Sequence, residues 1–302
     1  MMHALTTAID RLRADATSGA SELLPRAIEI LRATRDLPRE AALDLARAVG
    51  RAQPSMASIW NAALAALADR RDPGALDRFD QRRRRAAAAL SRSMADQLLT
   101  SARGAHHVVT LSFSGSVLAG LRAAAQRTRL VVSCAEGRPG LEGRRLAEAL
   151  SEAGIPVEFY TDAAIGEALG RHREAETTVI VGADAVTPNW FLNKCGTGML
   201  AAAAARVGVP VYAVAARDKF MDDRAAHLLQ IVDHDGRAVW AEAPAGVVVS
   251  DAWFERVSAD LAGGVITDAG SLSPAMLAEA CRAASAEVDG DDVEALLKGR
   301  EP

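Results

Sequence analysis

The segment His107-Val108-Val109-Thr110-Leu111 is a short β-branched, apolar run, and the turn-forming residues Ser112-Phe113-Ser114-Gly115-Ser116 follow it directly. The same order of strand, turn and helical stretch recurs along the chain. Strands that alternate with helices of about 10 to 15 residues indicate right-handed crossovers and a parallel sheet. We therefore expect a Rossmann-like α/β domain here. The further runs that predict strands are Arg129–Cys134, Val157–Tyr160, Thr178–Val181 and Val211–Ala215, with Gly246–Ser250 and Gly264–Thr267 as two more candidates.

The chain before Gly104 predicts helices alone. It consists mainly of alanine, leucine and arginine, has apolar residues at helical spacing in Leu37–Ala48 and Ile59–Leu67, and lacks β-branched clusters. We expect four or five helices, the last from about Ala75 to Ser101, and a short helix with a frayed end after Ser285. The predicted boundary near Gly104 divides the chain into a helical domain at residues 1–104 and a Rossmann-like domain at residues 105–302. Glycine or proline separates the predicted helices at Ser18-Gly19, Leu37-Pro38, Gln53-Pro54 and Asp72-Pro73-Gly74.

Composition excludes several classes of protein. The chain has 302 residues, is 50% apolar and carries a formal charge of −4, so it lacks the strong basic balance of a nucleic-acid binder. The basic run Arg82–Arg85 lies in a helical stretch and favours a solvated helix face or a subunit contact, with an RNA or DNA role as the alternative. Its three cysteines predict reduced thiols, and no apolar run approaches the roughly 20 residues of a membrane span. We expect a cytoplasmic protein.

Small, polar and cationic residues follow the predicted strands. Ligands of parallel sheets bind outside the carboxyl ends of the strands, where glycines and helix N-termini favour anions. Neither the phosphate-binding Gly-Lys-Ser/Thr loop nor the Gly-x-Gly-x-x-Gly fingerprint is present. The histidines show no metal-ligand spacing, so no metal or organic cofactor is predicted. The pattern indicates an anion site, to which Arg138, Lys194 and Lys219 would bring full charges.

Each of these segments also has a structural interpretation. Ser112–Ser116 is compatible with a capped helix start, and Asp162 with an N-cap for the helix after Tyr160. Asp184 is compatible with a residue that caps or braces the long loop to Lys194. The glycine-rich helix entry after Lys194 favours a binding role for that lysine, because a solvated lysine would not need it.

Four ordered motifs resemble those of one superfamily. It comprises the methylthioribose-1-phosphate isomerases, the ribose-1,5-bisphosphate isomerases and the alpha, beta and delta regulatory subunits of translation initiation factor 2B. The resemblance extends from about Thr17 to Pro274 and implies a helical domain followed by a Rossmann-like sheet. The motifs are Arg138-Pro139 with Gly143, Gly182-Ala183-Asp184, Asn193-Lys194-Cys195-Gly196-Thr197 and Lys219-Phe220.

The resemblance implies two catalytic positions. In the isomerases of this superfamily, a cysteine and an aspartate convert an aldose phosphorylated at its anomeric carbon to a ketose. Asp184 matches the aspartate and would shuttle the proton between two sugar carbons. Ser112 stands where the cysteine belongs. A serine hydroxyl has a far higher pKa than a thiol, so Ser112 would at most polarise a hydroxyl group.

The resemblance also implies a set of ligand-binding residues. Two of the matching positions depart from the isomerases, since Gln53 stands where they keep a phosphate-binding arginine and Glu142 where they often place glutamine. Gly19 and Ala20 would close the site from the helical domain. The complete set is Gly19, Ala20, Arg138, Glu142, Asn193, Lys194 and Lys219.

Two functions from different classes follow. The first is a protein that binds a phosphorylated pentose or a nucleoside monophosphate, with aldose-ketose isomerase activity if catalysis survives without the cysteine. The second is a non-catalytic regulatory subunit similar to those of initiation factor 2B, which senses a metabolite and binds protein partners. In both cases we expect at least a homodimer, with the apolar segment Trp253-Phe254 available for burial between subunits.

Overall fold

The computed structural model describes residues 2–99 and 104–298. Its first part is all-helical, as predicted. The last helix of this part ends at Leu98, and Ser101, the end predicted from the sequence, lies outside the described residues. The five helices, α1 to α5, span Met2–Ala14, Ala20–Leu31, Arg39–Ala52, Ala57–Ala68 and Ala75–Leu98.

The second part alternates strands and helices. The predicted strands are confirmed at five places and at Gly264–Thr267. The helices, α6 to α11, span Gly115–Ala125, Glu142–Glu152, Thr197–Val207, Arg237–Trp240, Leu277–Ala284 and Gly290–Leu297. The strands, β1 to β10, span Ala105–Leu111, Arg129–Ala135, Val157–Tyr160, Glu176–Gly182, Ala185–Val186, Trp190–Lys194, Val211–Val214, Phe254–Ser258, Gly264–Thr267 and Gly270–Leu272.

Seven of these strands form the main sheet in the order β10-β9-β7-β4-β1-β2-β3. All neighbours are parallel except β10, which runs antiparallel to β9. Val109 on β1 lies beside Ser133 on β2 and Val179 on β4. The chain winds outward in one direction through β2 and β3 and in the other through β4, β7 and β9. This is the Rossmann strand order, and it places the topological switch point between β1 and β4.

Two local predictions differ from the structure. Gly246–Ser250 was expected to be a strand but forms no β-ladder, and its central Val248 is 95% exposed. A β-branched run becomes a strand only where another strand can pair with it. Conversely, Trp190–Lys194 was placed in a loop and instead forms β6, which pairs antiparallel with β5 and β8 in a separate three-stranded sheet.

The helices cover both faces of the main sheet. One face packs against α5, α6 and α7, and the other against α8, α10 and the 3-10 helix Asp162–Gly170. Helix α5 belongs to two cores, since Leu76 and Phe79 pack with the N-terminal helices while Leu90 and Met94 pack on the sheet. The helical part is thereby fastened to the sheet. The domain boundary near Gly104 stays a prediction.

The basic run Arg82–Arg85 lies on α5, and three of its four residues face carboxylates of the same chain. Arg83 and Arg84 pair with Asp80, and Arg82 pairs with Glu287. The positive charges of Arg82, Arg83 and Arg84 are therefore paired with carboxylates of the same chain. Within residues 2–99 and 104–298, no helix combines the length and the apolar character that a membrane crossing requires.

Candidate sugar-phosphate site

A cleft opens at the carboxyl ends of β1 and β4, the switch point of the sheet. Its main cavity has a volume of about 400 Å³ and lies between the loop that joins α1 to α2 and the sheet. A smaller cavity of about 110 Å³ continues from it. The two share four lining residues, namely Gly19, Phe113, Asp184 and Asn193. The fold thus brings the helical rim and the strand ends together around one space.

Ser112 follows β1 directly and lines the main cavity. Its backbone is left-handed, with φ of 62°, a conformation that few residues other than glycine adopt. A Cβ on Gly137 would lie 3.0 Å from the Cα of Ser112, so this glycine permits the close approach of the two loops. The expected helix cap is Ser114 instead, whose Oγ accepts from the N–H of Val117. Ser112 is therefore free of the capping role.

Asp184 follows β4 and combines burial with two nearby lysines. Burial raises the pKa of its carboxyl group, while the charges of Lys219 and Lys194 act in the opposite direction. Lys219 Nζ lies 3.9 Å from Asp184 Oδ1 and donates to the carbonyl of Ala183. The backbone carbonyl of Asp184 accepts from the N–H of Ala57 at the start of α4. The helical part thus holds the backbone of Asp184, and Lys219 lies beside its carboxylate.

Asn193 and Lys194 end β6 and are held there by the entry to α8. Asn193 Nδ2 donates to Thr197 Oγ1, which donates in turn to the carbonyl of Lys194. Gly196 caps α8 with φ of 99°, a left-handed conformation that favours glycine. This turn keeps both side chains directed into the cleft, where they are at least nine-tenths buried.

The charge of Lys194 is already paired. Its Nζ lies 2.9 Å from Glu142 Oε1 and 4.5 Å from the centre of the Trp253 ring. The second oxygen of Glu142 lies 3.5 Å from Ser112 Oγ, which donates to it. Glu142 therefore joins the lysine to the serine that replaces the family's cysteine.

The chain contains only three lysines, Lys194, Lys219 and Lys298, against its many arginines. Two of the three line the cleft. A lysine ammonium binds phosphate as a compact point charge, whereas arginine presents a planar fork of donors. The lysines are thus concentrated where the sequence predicts an anion.

The loop between α1 and α2 forms the rim of the cleft. Asp15 accepts from the backbone N–H groups of Thr17 and Ser18, and Gln53 Nε2 donates to the carbonyls of Leu12 and Asp15. Gln53 therefore braces the rim at the position where the isomerases keep an arginine. Gly19, at the end of this loop, and Ala20, the first residue of α2, line the smaller cavity.

One ion pair crosses the mouth of the cleft. Arg145 on α7 donates through Nη1 to Glu22 Oε2 at 3.0 Å, and its guanidinium lies 3.9 Å from the centre of the Phe113 ring. Glu22 also accepts from the N–H of Gly19. We call this contact the rim latch, because it ties the helical rim to the sheet.

Arg138 lies apart from the other predicted ligands. Its side chain is exposed and does not line either cavity. Its backbone N–H donates to Asp162, which also accepts from the N–H of Gly137. The side chain of Asp162 thus holds this loop, and the residue that caps the following 3-10 helix is Thr161, not Asp162 as expected.

Sequence reasoning did not assign four residues that line the main cavity: Arg13, Arg51, Phe113 and Trp253. Trp253 forms a wall of the cleft, and Phe254 begins β8 opposite Lys194. The subunit contact expected of Trp253-Phe254 stays a prediction. No cysteine lines the cleft among the described residues. Cys134 is fully buried outside both cavities, and burial raises the pKa of its thiol to about 12.

A family comparison agrees with this architecture. The model of the initiation factor 2 subunit family matches residues 1–274. The chain belongs to this family. An eIF-2B subunit 2-like protein of Pyrococcus furiosus is 31% identical over 240 residues, which cover 78% of this chain and 82% of that protein. The similarity therefore spans both the helical part and the sheet.

Relatives that carry other names are also similar. A methylthioribose-1-phosphate isomerase homologue of Methanothermobacter thermautotrophicus is 34% identical over 167 residues, which cover 53% of each chain. The chain thus spans about half of that relative. The crystal structure of translation initiation factor eIF-2B from Pyrococcus horikoshii superposes with a TM-score of 0.74 at 27% identity, covering 89% of this chain and 97% of that one.

Proposed function

We propose that the chain binds a small phosphorylated pentose, or a nucleoside monophosphate, in the switch-point cleft. The observation that supports this best is the meeting of four polar residues around one cleft: Asp184 and Asn193 line both of its cavities, Lys194 lines the larger one and Lys219 the smaller one. Lys194 and Lys219 face the carboxylates of Glu142 and Asp184, and a phosphate would share or replace these partners through charge-assisted hydrogen bonds with the two ammonium groups. A volume of about 400 Å³ is in the usual range of about 300 to 1,000 Å³ for small-molecule pockets.

The relatives named as methylthioribose-1-phosphate isomerases support a sugar phosphate as the ligand. Aldose-ketose isomerisation is the reaction that such a site would perform, with Asp184 as the group that moves the proton. Ser112 provides a hydroxyl and not a thiol, so we expect the protein to bind the sugar phosphate but to convert it slowly. The cleft residues require no metal or organic cofactor for this role.

The test is thermal unfolding with ribose 1,5-bisphosphate, methylthioribose 1-phosphate, ribose 5-phosphate and adenosine monophosphate. A ligand at about 100 times its dissociation constant stabilises the protein by roughly 2.7 kcal/mol. The variant Lys219→Met should lose this response, and Lys298→Met should keep it. If none of the four compounds at millimolar concentration moves the wild-type midpoint, the proposal is wrong.

A regulatory subunit is the second candidate, favoured by Ser112 and by the similarity to eIF-2B proteins. Under this alternative the cleft senses a ligand without converting it. The discriminating measurement is turnover, because both candidates predict binding. An aldose that binds and stays unchanged in NMR spectra supports the regulatory role.

We also propose a cytoplasmic homodimer. A tetrameric eIF2B-beta2-delta2 complex is among the similar folds, and several apolar side chains between residues 231 and 248 are exposed here, Trp240 by 51% and Val248 by 95%. Exposed apolar side chains of this kind suit a subunit contact. Light scattering that gives 31.7 kDa at every concentration would contradict the dimer.

A further inference from the structure

A second group of side chains lies on the main sheet away from the cleft. It consists of His107 near the start of β1, Glu158 on β3 and His172, which follows the 3-10 helix Asp162–Gly170. One candidate ligand atom of each lies within 4.8 Å of the others. None of the three lines either cavity of the cleft. We propose that this cluster, the His-Glu-His cluster, binds a divalent transition-metal ion, with zinc as the best match.

The surroundings of His172 carry the first part of the argument. Its Nδ1 lies 3.5 Å from Glu174 Oε1, while its buried Nε2 lies 3.3 Å from Glu158 Oε1 without hydrogen-bond geometry. When the proton resides on Nδ1, the lone pair of Nε2 faces a carboxylate oxygen. Two electron-rich atoms at this distance repel each other. A cation between them turns that repulsion into two coordinate bonds.

His107 brings a second nitrogen to the same point. It is fully buried, and its ring centre lies 4.4 Å from that of His172. Its Nδ1 lies 3.3 Å from Thr177 Oγ1 and its Nε2 lies 2.8 Å from Ser133 Oγ. A metal-binding histidine commonly donates its other N–H to an oxygen, and Thr177 is placed to accept it. Ser133 Oγ, which donates to Glu158 Oε2 at 3.2 Å, lies beside Nε2, and a metal ion at Nε2 would take the place of that serine contact.

Glu158 is oriented by its own donors. Tyr160 donates its hydroxyl to Oε2 at 3.0 Å, and Arg171 donates Nε to Oε1 at 3.0 Å. The side chain of Arg171 is 57% exposed, so it can swing into solvent when a metal ion takes its place. The remaining contacts fix the carboxylate plane as an outer shell does around metal ligands.

The donor set selects the kind of ion. Two imidazoles and one carboxylate suit zinc and its transition-metal neighbours, whereas calcium and magnesium require oxygen donors. Zinc bonds of about 2.0 to 2.2 Å place tetrahedral ligand atoms roughly 3.4 Å apart, so small side-chain rotations close the cluster. Three protein ligands leave one position for water. The partly exposed faces of His172 and Glu158 provide the entry path.

Sequence spacing does not reveal such a cluster. The three ligands come from separate strands and loops, and only the parallel pairing of β1, β2 and β3 brings them together. Neither histidine belongs to a motif that resembles a metal site. The proposal therefore rests on the folded arrangement alone.

The experiment uses untagged full-length protein that has been treated with a chelator and then equilibrated with zinc chloride. Wild type should bind zinc with a stoichiometry of one at this cluster, and its unfolding midpoint should rise. His172→Gln should weaken zinc binding at least 10-fold. His227→Gln changes an exposed histidine outside the cluster and should bind like wild type. Cobalt(II) should give visible absorption with wild type and with His227→Gln, and lose it with His172→Gln.

Two results overturn the proposal. One is a wild type that binds no zinc at micromolar concentration. The other is equal zinc affinity in wild type and His172→Gln, which would assign any bound zinc to other surface groups. Glu158→Gln gives the same contrast with the hydrogen-bonded shape retained, so that a folding defect of a single variant does not decide the outcome.

Discussion

Lys194 and Glu142 form an ion pair inside the cleft, with 2.9 Å between Nζ and Oε1 and little exposure of the lysine. The lysine that the sequence predicts as a phosphate ligand is therefore neutralised before any ligand arrives. A phosphate must displace the carboxylate or share the ammonium group with it. The pair thus sets the affinity of the site.

Glu142→Gln should tighten the binding of a ribose phosphate by about 10-fold. The amide keeps the size of the side chain but removes a charge that competes for Lys194, and a charge-assisted hydrogen bond contributes about 1.5 to 3 kcal/mol. Glu148→Gln changes an exposed residue of the same helix and is the matched control. Calorimetric titration checks both. Weaker binding by Glu142→Gln would mean that the carboxylate itself holds the ligand.

Asp184→Asn should leave affinity for the sugar phosphate within a few-fold of wild type and abolish any isomerase activity. The amide preserves shape but cannot accept the transferred proton. Ser112→Cys should create or raise activity, because it restores the thiol at the position that the family's cysteine occupies. NMR of aldose-to-ketose conversion measures both variants. If neither wild type nor Ser112→Cys converts the aldose, the result supports the regulatory-subunit alternative.

Arg145→Ala should accelerate ligand dissociation about 2- to 5-fold with little loss of global stability. The rim latch is partly exposed, and exposed ion pairs contribute only about 0.2 to 1 kcal/mol. Its loss nevertheless frees Gly19 and Ala20 from the sheet side of the cleft. Stopped-flow displacement of bound ligand measures the rate, and Arg144→Ala on the same helix is the control. An unchanged dissociation rate would show that the latch does not hold the rim.

The stability of the protein should fall as the pH drops from 6.5 towards 4. Burial, with help from the neighbouring His172 and against the attraction of Glu158 and Glu174, lowers the pKa of His107 from 6.5 to about 4. In this interval the unfolded chain binds a proton that the folded protein does not, so acid favours unfolding. The titration of His107 lowers the free energy of unfolding by at most about 3 kcal/mol.

Urea unfolding between pH 7 and pH 4, with chelator present, tests that dependence. His107→Asn should show a shallower decline than wild type, because its amide does not titrate. His227→Asn should follow the wild-type profile. A His107→Asn profile parallel to that of wild type would assign the acid sensitivity to other groups.

Much of the fold follows from local sequence patterns. The five β-branched runs became strands because each has a neighbouring strand to pair with. Those near the centre of the sheet are also buried between helices, as in Val179–Val181, whereas the edge strand Val157–Tyr160 is partly exposed. Gly246–Ser250 has the same composition but no partner strand. Strand β6 could not be predicted, because its pairing with β8 depends on a segment far along the chain. The composition of a segment predicts whether it is buried, but whether it pairs with another strand depends on the topology of the whole chain.

The sequence predicts which residues follow the strands and reach the candidate site, but it does not predict the ion pairs that they form there. Asp184 and Lys219 meet in the cleft because they follow the parallel strands β4 and β7, whose carboxyl ends converge there, whereas the antiparallel strand β6 brings Asn193. Arg138 was assigned from a motif that fixes the backbone of its loop, while its long side chain points to solvent. The pairing of Lys194 with Glu142 joins residues from different elements, and no sequence spacing indicates it.

The antiparallel pairing of Lys194 with Phe254 has a consequence for synthesis on the ribosome. A nascent chain can form β1 to β4 and the helices around them before β8 has been translated. Domains fold as the chain emerges at about 5 to 20 residues per second. For some seconds of synthesis, Lys194 on β6 therefore lacks its partner strand β8. We therefore expect that the nascent protein does not bind the ligand until β8 has been made. C-terminal truncation before Phe254 should leave folded helices that cannot capture a phosphate.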